Sequence, residues 1–289
     1  MEKNITLADG SELKVGLTGN PGSVTIMLPG AKESVYGQEA ENLKLWGVDP
    51  ESGKHFIEGL MDKFQILSFD YEGHRFQHPS PDNLTPENIT NDFLTIADEM
   101  NVKKFSYYGY SWLALAGLQL AIRTDRLESL MMGGFPPIDG PYKEMMVVTN
   151  KTYEQALNHQ NSAADDEPVP ISPEEIDWDN IKVKIDADQT KQFVTMYQNL
   201  ITFDDRKIQQ PFTIPRLTFA GEQDTIIYGE NFGSVTVDIA GILQKNKQEL
   251  EHLGWDVEVL KGSGMDHTKA MQPEVVLSLI KPWLIKNLI

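Results

Sequence analysis

One serine stands where the sequence can make it a nucleophile. The run Phe105–Tyr110 predicts a buried strand and the Ala- and Leu-rich run from Trp112 predicts a helix, so Ser111 lies at the turn between them. A helix N-terminus directs unpaired N–H groups and a partial positive charge towards its first residues. Gly109 is small enough to let the turn close. We expect Ser111 to project above a sheet edge, and an ordinary N-cap serine is the alternative.

A serine hydroxyl needs a general base and an acid that orients the base. One apolar strand-like run ends just before Asp224, and another is followed by a glycine-rich turn and His267. Because the carboxyl ends of parallel strands meet at one edge of a sheet, Ser111, Asp224 and His267 can converge there. Asp266 is a poorer acid because adjacent residues point apart. The expected catalytic set is therefore Ser111, Asp224 and His267.

The elements that must position these residues alternate between strands and helices. The predicted strands cover 4–8, 13–17, 24–28, 65–69, 105–110, 127–132, 216–220 and 256–260, and Asp9-Gly10 predicts a hairpin turn between the first two. The predicted helices cover 86–100, 112–123, 237–253 and 273–288, and a further helical face lies in 56–64. Thr85 is the expected N-cap of the 86–100 helix, and Pro282 is expected to kink or interrupt the last helix.

A mostly helical, acidic stretch interrupts the alternation, and its run Asp165-Asp166-Glu167 predicts a solvated loop. This organisation predicts a mostly parallel sheet with an inserted cap. The expected domains are a core of 1–134 and 212–289 and a helical cap of 135–211. Candidates for the cap core and for an apolar pocket over Ser111 are Tyr142, Met145, Met146, Tyr153, Trp178, Phe193, Met196, Tyr197 and Phe203.

Together these motifs resemble the α/β-hydrolase fold superfamily, in its serine-nucleophile branch. The order Ser, Asp, His matches that family, and the interval between the first two leaves room for a cap. The segment Asp70-Tyr71-Glu72-Gly73-His74-Arg75 resembles the family's D-x-x-G-H-G segment after its fourth strand. Leu28-Pro29-Gly30-Ala31 lies where the family has a His-Gly turn. The resemblance implies an eight-stranded, mostly parallel sheet flanked by helices, with an inserted helical cap.

The resemblance also implies roles for individual residues. Ser111 attacks a carbonyl carbon, His267 takes its proton, and Asp224 orients and stabilises the imidazolium. The backbone N–H groups of Ala31 and Trp112 form the oxyanion hole, where one donor contributes about 3 kcal/mol to transition-state stabilisation. The branch needs no cofactor and no metal. For His74, which matches the histidine of the family's D-x-x-G-H-G segment, the resemblance implies a structural role.

Three positions depart from the family pattern. Leu113 stands where the G-x-S-x-G turn has its second glycine, and we expect it to crowd the packing of helix on strand. Pro29 replaces the usual histidine, and Arg75 replaces the last glycine of the D-x-x-G-H-G segment. We interpret Lys32 as a solvated loop lysine rather than as a contact for an anion. The departures at Leu113 and Pro29 favour the alternative of a catalytically weak or inactive binding or regulatory protein on the same fold.

The favoured hypothesis is a serine hydrolase that cleaves an ester of a small, partly apolar substrate through an acyl-enzyme on Ser111. An amide and a carbon–carbon bond remain open as the cleaved bond. The G-x-S-W turn also resembles the proline iminopeptidase branch, which reads a substrate amine with cap carboxylates. A serine nucleophile disfavours epoxide hydrolysis and dehalogenation, which use a carboxylate in this family.

Composition narrows the partners of the protein. The chain has 289 residues, of which 40% are hydrophobic, and a formal net charge of −18, so it predicts a folded protein that nucleic acid and anionic membranes repel. The absence of cysteine excludes disulfides and zinc or iron–sulfur sites built on thiolates. The first residues lack a secretory pattern, so we expect a cytoplasmic protein that acts on a small molecule. The oligomeric state stays open, a homo-oligomer included.

Overall fold

Eight strands form one sheet in the computed structural model, which describes residues 1–161, 186–210 and 212–289. The expected loop with the acidic run 165–167 and the pocket candidate Trp178 lie outside the described residues. The strands of this sheet and of a separate two-stranded one (β8 and β9) are β1 (Glu2–Thr6), β2 (Glu12–Gly19), β3 (Thr25–Leu28), β4 (Gln65–Ser68), β5 (Phe105–Tyr110), β6 (Leu127–Gly133), β7 (Arg216–Gly221), β8 (Thr225–Ile227), β9 (Thr236–Asp238) and β10 (Trp255–Leu260).

The strand order of the large sheet is β1-β2-β4-β3-β5-β6-β7-β10. Only β2 pairs antiparallel, with β1 on one side and β4 on the other, and every other neighbouring pair is parallel. The predicted mostly parallel, eight-stranded sheet is therefore confirmed. The small antiparallel pair β8 and β9 follows the end of β7, and the sequence did not predict it.

Ten α-helices are described, and the four predicted at 86–100, 112–123, 237–253 and 273–288 are among them, with bounds that agree to within two residues. The ten helices are α1 (Gln38–Leu45), α2 (Ser52–Leu60), α3 (Tyr71–Gln77), α4 (Pro86–Glu99), α5 (Trp112–Ala121), α6 (Tyr142–Asn161), α7 (Ala187–Leu200), α8 (Ile239–His252), α9 (His267–Ala270) and α10 (Pro273–Leu288). The Thr85 side chain accepts a hydrogen bond from the Asn88 N–H, which confirms the predicted cap of α4. Pro282 lies inside α10, which continues through it. In the part of the chain that the structure describes, no helix is both long and apolar enough to span a bilayer.

The central strand β5 divides the core into two layers. Side chains alternate between the faces of a strand, so Tyr107 packs in one apolar cluster with Phe93 of α4 and Leu115 of α5. Tyr108 packs on the opposite face with Phe56 of α2. The residues of β5 from Phe105 to Gly109 are buried, so the turn that follows starts from a fixed strand end.

Arg75, which replaces a family glycine, fastens the first hairpin to α3. Its side chain is 2% exposed and donates to Asp9 over 2.6 Å and to Ser11 over 3.2 Å. Burial alone would raise the pKa of Asp9, but the hydrogen bonds from Ser11 and Arg75 outweigh it and lower that pKa to about 2. His74 is buried and its Nε2 lies 2.8 Å from Ser11 Oγ, in agreement with its expected structural role.

His74 gives the fold an acid-sensitive point. Burial, and then the charge of Arg75, lower the pKa of His74 to about 4 from a usual value of 6.5. Below pH 6.5 the unfolded chain gains a proton at this histidine and the folded chain does not, so its stabilising contribution is complete above 6.5 and disappears as the pH falls to about 4.

We expect His74→Gln to flatten the fall in the free energy of unfolding between pH 6.5 and 4, measured by urea titration at each pH. Glutamine retains a polar group near Ser11 and does not titrate. His252→Gln, at an exposed position on α8, is the matched control and should keep the wild-type slope. An unchanged slope in His74→Gln would show that other groups cause the acid sensitivity.

Candidate active site

Ser111 occupies a strained turn between β5 and α5. Its backbone has φ 55° and ψ −129°, in a region that non-glycine residues rarely adopt. The Ser111 N–H donates to the Gly133 carbonyl of β6 over 2.8 Å, and the Ser111 carbonyl accepts from the Ala114 N–H over 2.9 Å. The side chain makes no capping hydrogen bond, so the alternative of an ordinary N-cap serine has no support. Strand pairing and the first turn of the helix hold the strained residue in place.

Gly109 and Leu113 explain how the turn closes. A Cβ on Gly109 would lie 2.4 Å from the Leu113 carbonyl oxygen, so only glycine fits there. Tyr107 donates to the same carbonyl over 2.6 Å. The buried Leu113 side chain packs in the same apolar cluster as Tyr107, and its Cδ1 atom would lie 3.3 Å from a Cβ on Gly30. Gly117 provides a further close contact of α5 with Tyr107.

His267 and Asp224 meet beyond the ends of β10 and β7. The Nδ1 atom of His267 lies 2.9 Å and 3.0 Å from the two carboxylate oxygens of Asp224, which is fully buried. Gly221 permits this approach, because a Cβ there would lie 2.1 Å from the Met265 carbonyl oxygen. The Asp266 carboxylate instead accepts from the Lys269 N–H as the N-cap of α9. The structure thus brings the predicted acid, and not its neighbour, to the imidazole.

Ser111 and His267 line the same cavity, which has a volume of about 300 Å³. Its wall is mainly apolar, with Lys32 and Glu72 as its charged side chains. Leu28, Gly30, Ala31, Val48, Ser52, Phe56, Tyr108, Gly109, Tyr110, Leu113, Met271 and Gln272 complete the lining. Among the described residues, none from 135–210 lines it, so the expected pocket wall from the cap is not seen there. The segment between β3 and β4 forms that wall instead.

Two contacts describe this arrangement. Gly53 lies inside α2, and a Cβ there would lie 2.2 Å from the Lys32 carbonyl oxygen. This close approach brings α2 against the turn after β3. Phe193, a candidate pocket residue on α7, instead packs edge-on against the Trp112 ring, with ring centroids 5.4 Å apart.

The two expected oxyanion donors differ in availability. Trp112 belongs to the first turn of α5, whose N–H groups have no acceptor within the helix. The Ala31 N–H donates to the Phe69 carbonyl over 3.1 Å, next to an isolated bridge between Gly30 and Asp70 just beyond the ends of β3 and β4. Ala31 is therefore engaged in this conformation, and an oxyanion must compete with a backbone carbonyl for its proton.

A charged cluster that the sequence did not predict borders the cavity. Lys32 Nζ lies 2.8 Å from one oxygen of Glu72, and the Trp112 indole N–H donates to the other over 2.6 Å. Burial lowers the pKa of Lys32, but the charge and hydrogen bond of Glu72 outweigh it and raise that pKa above its usual value. Lys32 is half-exposed, as expected of a solvated lysine, and is also paired with Glu72 on the cavity wall. No group of acidic and histidine residues among those described is arranged to hold a metal ion.

The strain at Ser111 predicts that a residue suited to this backbone conformation stabilises the fold. A non-glycine residue in such a region costs about 1–3 kcal/mol, whereas glycine adopts it readily. We expect Ser111→Gly to raise the free energy of unfolding by about 1 kcal/mol over Ser111→Ala, which keeps the strain. Urea titration of both variants measures this. Equal stability of the two would show that the turn is not strained.

The comparisons with known proteins agree on the architecture. No protein-family model and no curated protein sequence matches this chain. The structure is similar to a carboxylesterase from the thaumarchaeon Nitrososphaera gargenis, with a TM-score of 0.62, 15% identity, and 99% of this chain and 98% of that chain covered. It is also similar to MGS-M2, an α/β-hydrolase enzyme from a Medee basin deep-sea metagenome library, with a TM-score of 0.61, 11% identity, and 98% and 97% covered.

A third similar structure is that of an enzyme of another kind. The bottromycin epimerase BotH, in complex with bottromycin A2, has a TM-score of 0.55 and 12% identity, with 100% of this chain and 99% of that chain covered. At these identities the likeness concerns the fold and leaves the reaction open. The chain has the α/β-hydrolase fold, which it shares with carboxylesterases over its full length.

Proposed function

We propose that the protein is a serine hydrolase that cleaves an ester of a small, partly apolar substrate. The observation that carries the proposal is the buried Asp224 carboxylate on His267 Nδ1, with the same imidazole lining a cavity with Ser111. A carboxylate at Nδ1 favours the tautomer with its proton there, which leaves Nε2 to act as a base. A histidine held in this way, in one cavity with a serine whose side chain makes no capping hydrogen bond, is suited to nucleophilic catalysis.

In the proposed reaction, Ser111 Oγ attacks the ester carbonyl carbon while His267 Nε2 accepts the hydroxyl proton. The proton then passes to the departing alcohol oxygen, and the acyl group remains on Ser111. Water deprotonated by the same imidazole attacks this acyl-enzyme, releases the acid and restores the hydroxyl. Asp224 stabilises the imidazolium in both steps.

The number of available oxyanion donors determines the expected rate of ester hydrolysis. Trp112 supplies one backbone N–H to the developing negative charge. The second donor, Ala31, becomes available only when its hydrogen bond to Phe69 is broken. One such donor changes the turnover rate by about 10²–10³-fold, so hydrolysis with Trp112 alone is slow, and substrate binding that releases Ala31 accelerates it.

The cavity argues for a small acyl group and for an ester. Its volume is near the lower limit for small-molecule sites, and Leu28, Phe56 and Met271 make its wall apolar. The proline iminopeptidase alternative requires a carboxylate that takes the substrate amine. Among the described residues, Glu72 is the carboxylate on this wall, and Lys32 and Trp112 already occupy its oxygens. Amides and carbon–carbon bonds therefore rank below esters as the cleaved bond.

The proposal includes the predicted division into domains. Core segments 1–134 and 212–289 carry the catalytic residues, and α6 and α7 belong to a cap that spans 135–211. In this assignment the cap acts on the site through Trp112, whose ring Phe193 contacts. The reaction needs no cofactor.

A catalytically inactive binding protein is the second candidate. Its support is the engaged Ala31 N–H, since a protein without turnover needs no open oxyanion hole. The similarity to an epimerase shows that one fold serves reactions other than hydrolysis. Both candidates use the same cavity, so turnover and covalent labelling decide between them.

The first test combines turnover with covalent labelling. We expect the wild type to hydrolyse p-nitrophenyl butyrate and to react with a fluorophosphonate at Ser111, identified by peptide mass spectrometry. Ser111→Ala should take no label there and lose at least about 10³-fold in kcat/KM. Ser278→Ala, at an exposed position on α10, is the matched control. A wild type without turnover or label would support the binding protein, and hydrolysis that persists in Ser111→Ala would refute the assigned nucleophile.

The size of the cavity yields a second prediction. We expect Phe56→Leu, which shortens a side chain on the cavity wall, to raise the ratio of kcat/KM for p-nitrophenyl octanoate to that for the butyrate several-fold. Phe64→Leu is the matched control, because Phe64 is buried in the same apolar cluster and does not line the cavity. An equal change of the ratio in both variants would assign the effect to general loosening of the core.

A further inference from the structure

We propose that Tyr110 is a positioning residue that holds His267 in register with Ser111. The inference rests on the proposed function and adds a residue to it. The Tyr110 hydroxyl donates to the His267 backbone carbonyl over 2.9 Å, across 157 positions of the chain. The Tyr110 ring also packs against the imidazole, with centroids 5.0 Å apart at a tilt of 57°. One side chain thus contacts both the backbone and the ring of His267.

Two consecutive glycines provide the space for this contact. A Cβ on Gly134 would lie 2.6 Å from Tyr110 Cε1 and 2.9 Å from His267 Cε1. A Cβ on Gly133 would lie 2.5 Å from Tyr110 Cδ2. Gly134 also has φ 63°, which favours glycine. The end of β6 is therefore shaped to let the two rings approach.

His267 is the first residue of α9, a helix of four residues, and it follows a turn with Gly262 at φ 146° and Gly264 at φ 66°. Asp224 fixes the Nδ1 atom of the imidazole, which is a restraint on the side chain. The Tyr110 hydrogen bond supplies a restraint at the backbone.

The residue that restrains His267 is the direct neighbour of the proposed nucleophile in the chain. Tyr110 is the last residue of β5 and is bonded covalently to Ser111. The Ser111 N–H donates to Gly133, and the Gly134 N–H donates to Phe219 of β7 over 2.9 Å. The ends of β5, β6 and β7 are thus linked around the Tyr110 ring. Burial raises the pKa of Tyr110 well above its usual value, so the hydroxyl remains a neutral donor.

The test removes the hydroxyl and then the ring. With p-nitrophenyl butyrate, we expect Tyr110→Phe to lower kcat about 10-fold with KM within twofold of wild type, since alignment of the base acts after substrate binding. Tyr110→Leu, which also removes the ring, should lower kcat further. Tyr71→Phe is the control for the loss of a buried tyrosine hydrogen bond, because Tyr71 donates to Asp92 in the core. It should lose stability and keep the wild-type kcat.

A second readout does not depend on turnover. In protein labelled with 15N-histidine, we expect the proton shared by His267 and Asp224 to exchange with water at least fivefold faster in Tyr110→Phe than in wild type or Tyr71→Phe. Unchanged kcat and exchange in Tyr110→Phe would overturn the positioning role while the hydrolase stands. Absence of ester hydrolysis in the wild type would overturn the proposed function, and the exchange rates would then decide the positioning role by themselves.

Discussion

The buried contact between Asp224 and His267 is the interaction on which the proposed chemistry depends. A fully buried carboxylate costs several kcal/mol unless a partner compensates it, and here both oxygens lie within 3.0 Å of one imidazole nitrogen. The backbone of Asp224 is fixed as well, since its N–H donates to Gly221 and its carbonyl accepts from Ala240. The carboxylate is thus held between the end of β7 and the start of α8, and the imidazole must come to it.

The site is built mainly by backbones that approach unusually closely. Gly109, Gly134 and Gly221 each lie where a Cβ would come within 3 Å of a neighbouring atom, and each stands next to a different member of the proposed triad. Their absent side chains let β5, β6, β7 and the loop after β10 converge on a volume that ordinary residues would fill. Ser111 carries the resulting strain in its own backbone angles. This strain lowers the stability of the turn, and the same turn places the Ser111 hydroxyl in one small cavity with the His267 imidazole.

The sequence predicted those features that depend on neighbouring residues, such as strands and helix starts. Apolar runs identified the strands, and Thr85 identified the start of α4 because a threonine before proline suits an N-cap. The positions of Ser111, Asp224 and His267 after strand ends predicted one common edge of the sheet, where Asp224 contacts His267 and Ser111 lines the same cavity as the imidazole. The hydrogen bond of Ala31 and the placement of Glu72 could not be predicted in this way. Both depend on the pairing of β3 with β4, which joins residues some forty positions apart and leaves no local signal.

The turn with the engaged Ala31 N–H is linked to Trp112 through charged side chains. The turn that carries it also carries Lys32, which is paired with Glu72, and Glu72 holds the indole of Trp112, the residue with the other expected donor. The two donors of the proposed oxyanion site are therefore linked by side chains as well as by the sheet. In the proposed reaction, charge that develops near Trp112 also acts on the adjacent Lys32–Glu72 pair, and the fixed backbone around Ser111 and Tyr110 limits where that charge appears. A rearrangement that frees Ala31 must break one backbone hydrogen bond, which costs about 1 kcal/mol and is small beside the roughly 3 kcal/mol that an oxyanion donor contributes. The engaged donor is therefore compatible with turnover, because the transition state itself can repay its release.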